Sequence, residues 1–220
     1  MPVPYFALKD CALVTLATGK RAIQLIEFRN QLAEIEVGSI YHHFWGTLLQ
    51  ARFEEREYNN DFASWIRHQV HDSILGEQLA VLDPILFDTL EDLRETMLDL
   101  IDTRMEAEPL LASPHPGEPF VFERSQIVVF DTGRHFENPA DLNAVFSEMT
   151  TGSIFYHFVD ARRRTSDRRD DFSDWLAGFG EDYCDLQDSL AQVDPYFGSL
   201  AELRDDLNYL FNAHFSAEAT

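Results

Sequence analysis

Two stretches of this chain repeat each other at a fixed distance. Thr18-Gly19 returns as Thr132-Gly133, and Gly38-Ser39-Ile40-Tyr41-His42-His43-Phe44 returns as Gly152-Ser153-Ile154-Phe155-Tyr156-His157-Phe158, both 114 residues on. Phe6 and Val14 fall on Phe120 and Val128 in the same frame. Further along the spacing is 110 residues: Ala51-Arg52 meets Ala161-Arg162, and Asp61-Phe62-Ala63-Ser64-Trp65 meets Asp171-Phe172-Ser173-Asp174-Trp175. The four residues lost between Phe44 and Ala51 are about one helical turn, so the helix face stays in phase. A chain built this way is read as an internal duplication, with two like halves about a pseudo-twofold axis.

The first copy spans residues 5–104 and the second 120–215, with a proline-rich linker over 105–119, the two packed as one unit. Within each copy the pattern is mainly α with a small β element, an α+β chain. Ile127-Val128-Val129-Phe130 and Leu13-Val14-Thr15-Leu16 read as short buried strands, free to pair with each other. Asn138-Pro139 opens a helix whose apolar stripe is Leu142, Val145, Phe146 and Met149. Its match in the first copy is Phe28, Gln31, Leu32 and Ile35. Ser39 and Ser153 read as N-caps of the next helix, Asn60 and Asp170 stand before a third, and Thr89 and Ser199 cap the last. Trp65 with Phe62, and Trp175 with Phe172, form i, i+3 aromatic pairs of the kind that packs a core.

Charge narrows the partners. The chain carries 17 basic and 39 acidic residues, a formal charge of −22, so it has no face for sequence-independent nucleic-acid binding. Self-repulsion at this charge predicts that stability rises with moderate salt. No apolar run reaches the roughly 20 residues of a membrane span, and the N-terminus lacks signal-peptide anatomy. Cys11 and Cys184 are too few for a disulfide framework, which fits a reducing, cytoplasmic compartment.

Thr18-Gly19, Ser39-Ile40-Tyr41-His42-His43-Phe44, Phe53-Glu54-Glu55-Arg56-Glu57-Tyr58 and Asp61-Phe62-x-x-Trp65, with their second-copy equivalents, resemble a bacterial and archaeal domain family of unknown function, family 5752. The likeness runs from about Tyr5 to Phe211. It implies the fold boundaries and no activity, and it lends no catalytic residue.

Candidate binding residues follow from chemistry. His43 and His157 are the shared histidines of the repeat, suited to acid–base or ligand roles, or to a buried bond with a carboxylate or carbonyl. His42 and His43 point about a hundred degrees apart on a helix and do not easily chelate one ion. His68-x-x-His71 has ligand spacing but no counterpart in the second copy. Asp61 and Asp171 read as helix-opening acids explained by capping. Arg52 and Arg162 bind an anion or tie their helix to a neighbouring acid. Thr18-Gly19-Lys20 and Thr132-Gly133-Arg134 resemble phosphate-binding turns ahead of a helix, or turns that need glycine after a strand. Arg163, Arg164, Arg168 and Arg169 belong to a basic cluster whose equivalent stretch in the first copy is mainly acidic, so that the two could meet with opposite charge if the copies pack about a twofold axis. They are the candidate interface, or surface charge paired with Asp167, Asp170 and Asp171.

No nucleophile elbow, zinc-protease motif or Cys-x-x-Cys occurs, so no catalytic residue, cofactor or metal is assigned. The expected function is a non-catalytic binding or accessory protein with a protein partner, itself or another, homo-oligomers included. The alternative is a small cytoplasmic enzyme acting on a phosphorylated or other anionic metabolite.

Overall fold

The computed structural model describes residues 5–46, 48–49, 57–112, 117–165, 167–196 and 198–218. Arg52 lies outside the described residues, as do most of the acidic stretch around it and the middle of the proline-rich segment. Two 17-residue strands, β1 (Phe6–Ala22) and β2 (Phe120–Phe136), pair as a two-stranded antiparallel sheet, and among the described residues the other regular structure is helical. The chain forms two compact units. The split unit is Met1–Ala12 with Ile127–Thr220, and the continuous unit is Leu13–Gln126. These bounds differ from those of the sequence copies because each strand gives its apolar first residues to the helices of the other copy.

In the continuous unit the helices are α1 (Leu25–Glu34), α2 (Val37–Tyr41), α3 (Asp61–Trp65), α4 (Ser73–Ala80) and α5 (Leu90–Ala107). α2 runs on as a π-helical turn over His42–Gly46, and α3 as another over Ile66–Val70. Phe28 is the hub of the core, stacked on Trp65 at 5.1 Å and on Phe122 at 5.5 Å, with Phe62 and Phe120 edge-on. The buried Arg94 donates to the Leu32, Ala33 and Ile35 carbonyls, filling the unpaired acceptors at the end of α1.

In the split unit the helices are α6 (Pro139–Asn143), α7 (Thr151–Ile154), α8 (Ala161–Arg164), α9 (Asp171–Ala177), α10 (Cys184–Ala191) and α11 (Leu200–Glu218). A π-helical segment, Phe155–Asp160, joins α7 to α8. Phe6 of β1 stacks on Phe172 and lies 5.3 Å from Trp175, while Phe146 packs on Phe211 at 4.6 Å.

Several sequence expectations are met in detail. Asn60 and Asp170 cap α3 and α9 through the Ala63 and Ser173 amides, and Thr89 caps α5 through Asp92. Ser199 accepts from the Glu202 amide at the start of α11.

Others are corrected. Ser39 and Ser153 are not caps; they sit buried inside α2 and α7, and Thr150 caps α7 instead. The stripe after Asn138 is not one helix, because α6 stops at Asn143 and a 3-10 turn, Phe146–Glu148, keeps Phe146 buried. The run Val128-Val129-Phe130 is exposed, and the strand residues that face the cores are Phe6, Leu8, Cys11, Ala22, Phe120 and Phe122. A β-branched run favours a strand without saying which face is covered, whereas alternation does.

The start of α7 lies hard against β1. A Cβ on Gly152 would collide with the Asp10 carboxylate and the Cys11 carbonyl, while one on Gly38, its match in sequence, would meet nothing nearer than the Ser125 carbonyl at 3.5 Å. Gly152→Ala should therefore cost about 2–3 kcal/mol of unfolding free energy. Gly38→Ala should be close to neutral. Urea midpoints of the two variants check this, and equal losses would remove the close-approach explanation.

Candidate functional site

Both units contain a buried histidine held in the same way. In the split unit His157 Nδ1 lies 2.7 Å from Asp171 Oδ2, and His157 Nε2 accepts the Lys9 amide of β1 at 2.9 Å. In the continuous unit His43 Nδ1 lies 3.0 Å from Asp61 Oδ2, and His43 Nε2 accepts the Glu123 amide of β2 at 3.2 Å. An amide N–H can only donate, so Nε2 carries the lone pair and the ring proton sits on Nδ1, aimed at the carboxylate. Every polar atom of each ring is thus engaged. The histidines are struts between a strand and a helix, and Asp61 and Asp171 hold them while their neighbours Asn60 and Asp170 do the capping.

Above the split unit's dyad is a pocket of about 350 Å³. Its lining includes Tyr5, Lys9, Tyr156, Arg164, Asp174 and Trp175, with His157 and Asp171 at its floor. Arg164 is committed: it donates to Asp160 at 2.9 Å, to Asp171 at 3.0 Å and to the Tyr156 carbonyl at 2.8 Å, and it lies over the Tyr156 ring. Lys9 is not. Its ammonium faces the Tyr156 ring at 5.9 Å, and no ion pair is formed with it among the described residues.

The remaining candidates are placed as follows. Arg162 donates to the Leu190 and Val193 carbonyls at the end of α10 and covers the Phe158 ring. Thr18-Gly19 and Thr132-Gly133 lie inside the strands and not ahead of a helix. Gly19 and Gly133 have φ of +74° and +71°, the mark of a β-bulge, and each threonine hydroxyl donates across the ladder, to Phe122 and Leu8 respectively. Lys20 pairs with Glu34, and Arg134 reaches Glu148. In the basic cluster Arg163 joins Arg164 on the buried Asp160, and Arg169 donates to Gln187 at 2.8 Å. Arg168 adopts a positive φ of 58° in the turn before α9. His71, with φ of 61°, ends the π-helical turn, so it does not share a helix face with His68, whose ring meets Glu57 in solvent.

Reasoning from sequence missed Lys9, Tyr156 and Glu123. The signal was present: Phe6-Ala7-Leu8-Lys9 aligns with Phe120-Val121-Phe122-Glu123, a cation against an anion in an otherwise like frame.

The buried thiol of Cys11 is pushed up to about 12, chiefly by burial and then by Asp10. It donates to the Gly152 carbonyl at 3.3 Å, whereas Cys184 is exposed. Alkylation of the folded protein at pH 8 should therefore label Cys184 alone, and Cys11 only after unfolding, as peptide mapping would record.

Residues 4–212 match the model of a family of unknown function. The chain is also similar to the structure of OrfY from Thermoproteus tenax, with a TM-score of 0.79, 26% identity and 96% of each chain covered. No curated protein matches it. No helix is long and apolar enough to cross a membrane, among the described residues.

Proposed function

We propose, for a chain that belongs to the DUF5752 family, a non-catalytic binding role in which the pocket of the split unit holds a small organic anion. Lys9 carries this reading. It is one of only two lysines in a chain of charge −22, it lines a pocket walled by Tyr5, Tyr156 and Trp175, and among the described residues no carboxylate, Asp171 and Asp174 of the lining included, is paired with it. Aromatic walls and one unspent cation suit a carboxylate or phosphate ester with an apolar body. The saturated histidine rings favour binding over acid–base chemistry, since neither ring has a nitrogen left for a substrate.

In the same reading the chain arose by tandem duplication, works in the cytoplasm, and serves as an accessory to a protein partner, itself or another. The paired sequence motifs and the two like dyads support the duplication.

The test is a thermal-shift screen of the whole chain against simple carboxylates and sugar phosphates. A ligand at 100 times its Kd adds about 2.7 kcal/mol. A stabilising anion whose shift disappears in Lys9→Met and survives in Lys20→Met is the expected result. Absence of any shift, or a shift indifferent to Lys9→Met, would overturn the proposal. Turnover of the bound anion would put the enzyme reading in its place.

A further inference from the structure

The pocket of the split unit holds a second unspent charge, opposite in sign to Lys9. Among the described residues four charged side chains line it: Lys9, Arg164, Asp171 and Asp174. Two of these are committed. Arg164 donates to Asp171 at 3.0 Å and to Asp160 at 2.9 Å, while Asp171 also accepts the His157 Nδ1–H. That leaves Lys9 and Asp174, and among the described residues neither side chain forms an ion pair or hydrogen bond, with the other or elsewhere. Lys9 turns its ammonium to the Tyr156 ring and not to the carboxylate that shares its pocket. One cavity with an unmatched cation and an unmatched anion is complementary to a ligand that carries both charges.

We propose, resting on the anion-binding reading above, that the ligand is a zwitterion: a free amino acid with an apolar side chain. Its carboxylate meets Lys9, its ammonium meets Asp174, and its body lies against Tyr5 and Trp175. The two walls that carry the charges are held together by the strut. Lys9 comes from β1 and Asp174 from α9, and the His157 ring bridges them, accepting the Lys9 amide at Nε2 and donating to Asp171 from Nδ1. Asp171 and Asp174 stand three residues apart on α9 and so share a face of it. The spacing of the two charges is thus set before a ligand arrives, which lowers the ordering cost of binding.

Charge and size agree with such a ligand. Arg164 lies over the Tyr156 ring at 4.1 Å and Lys9 faces it at 5.9 Å, so both cations gather on the Tyr156 wall. The uncommitted carboxylate stands instead on the helix that brings Trp175. A cavity of about 350 Å³ is near the small end of the roughly 300–1,000 Å³ usual for ligand pockets, which suits one amino acid and not a peptide. Tyr5 lines the pocket yet is 57% exposed, its ring set edge-on to His135 at 4.7 Å. It is an aromatic surface that a ligand side chain would cover.

The paired sequence motifs separate the frame of the pocket from its charges. Phe6, His157, Asp171 and Trp175 match Phe120, His43, Asp61 and Trp65 residue for residue, whereas Lys9 and Asp174 match Glu123 and Ser64. The strut needs neither charge. Lys9 serves it through the backbone amide alone, as Glu123 does in the continuous unit, and Asp174 takes no part in it.

The experiment is calorimetric titration of the whole chain with phenylalanine, tyrosine and leucine. Each is paired with the acid that lacks its amino group and the amine that lacks its carboxylate, 3-phenylpropionate and 2-phenylethylamine for phenylalanine. At least one amino acid should bind about tenfold or more tighter than both of its relatives. Asp174→Asn should abolish the margin over the deaminated acid without weakening that acid, and Lys9→Met should weaken both. Asp174 is exposed, so the ligand-free melting temperature of Asp174→Asn should match the parent and separate ligand loss from misfolding. An amino acid that binds no better than its deaminated acid, with both lost in Lys9→Met, would overturn the zwitterion and leave the anion pocket standing. A margin unaltered by Asp174→Asn would overturn it too. No binding by any of these ligands, or binding indifferent to Lys9→Met, would overturn both readings.

Discussion

Residues 1–108 and 118–220, expressed apart, should each fail to unfold cooperatively, and mixing the two should restore a single folded species. A cut in the proline-rich segment looks harmless by sequence, since it separates the two copies of the repeat. In the structure it removes Phe120 and Phe122 from the core around Phe28, and Phe6 and Leu8 from the core around Phe172. It also strips each strut histidine of the strand amide that its Nε2 accepts. Units of about 100 residues have little burial to spare. Circular dichroism melts of each fragment and of the equimolar mixture check this, and two independent cooperative transitions near that of the intact chain would refute it.

Trp65→Ala and Trp175→Ala should each cost about 3–5 kcal/mol. Both indoles are 7% exposed and occupy like places in their units, Trp65 stacked on Phe28 and Trp175 beside Phe6. Truncating Trp65 also leaves the Glu118 carbonyl without the Nε1–H that donates to it at 2.9 Å. Trp175 also walls the pocket, so Trp175→Phe should retain most of the stability while altering ligand shifts. Urea denaturation measures both. A Trp175→Ala variant of parental stability would recast that indole as a binding surface.

Much of the local structure was legible in the sequence because it depends on near neighbours. Asn60, Asp170, Thr89 and Ser199 act through amides two or three residues away, and Asn138-Pro139 through the turn it opens. The shared histidines were legible as a pair, and so were the aromatic pairs. Much of what escaped depends on strand partners more than 60 residues distant. Asp61 and Asp171 look like caps until β1 and β2 bring amides to the far side of His43 and His157. Thr18-Gly19 looks like a phosphate turn until the Phe122 carbonyl shows it to be a bulge within a strand. The expected buried strand at Ile127–Phe130 failed for the same reason, since burial is decided by what the strand meets. Arg162 and Arg164 were seen as cations, but only the folded chain shows their charge already spent on carbonyls and carboxylates.

The sharing of strands also sets an order of events during synthesis. The continuous unit closes once Gln126 has left the ribosome, because its two strand segments and its helices have then all emerged. The split unit must wait. Residues 6–11, with Phe6, Leu8 and the unreactive Cys11, have no core until α9 and its Phe172 follow more than 150 residues later. From Gln126 to Phe172, at about 5–20 residues per second, is an interval of about 2–9 seconds, in which an apolar strand end trails from a finished domain. A chain with this topology gains from a chaperone that covers its first dozen residues, and a stall in translation after Gln126 is where it is most exposed to pairing with the wrong strand.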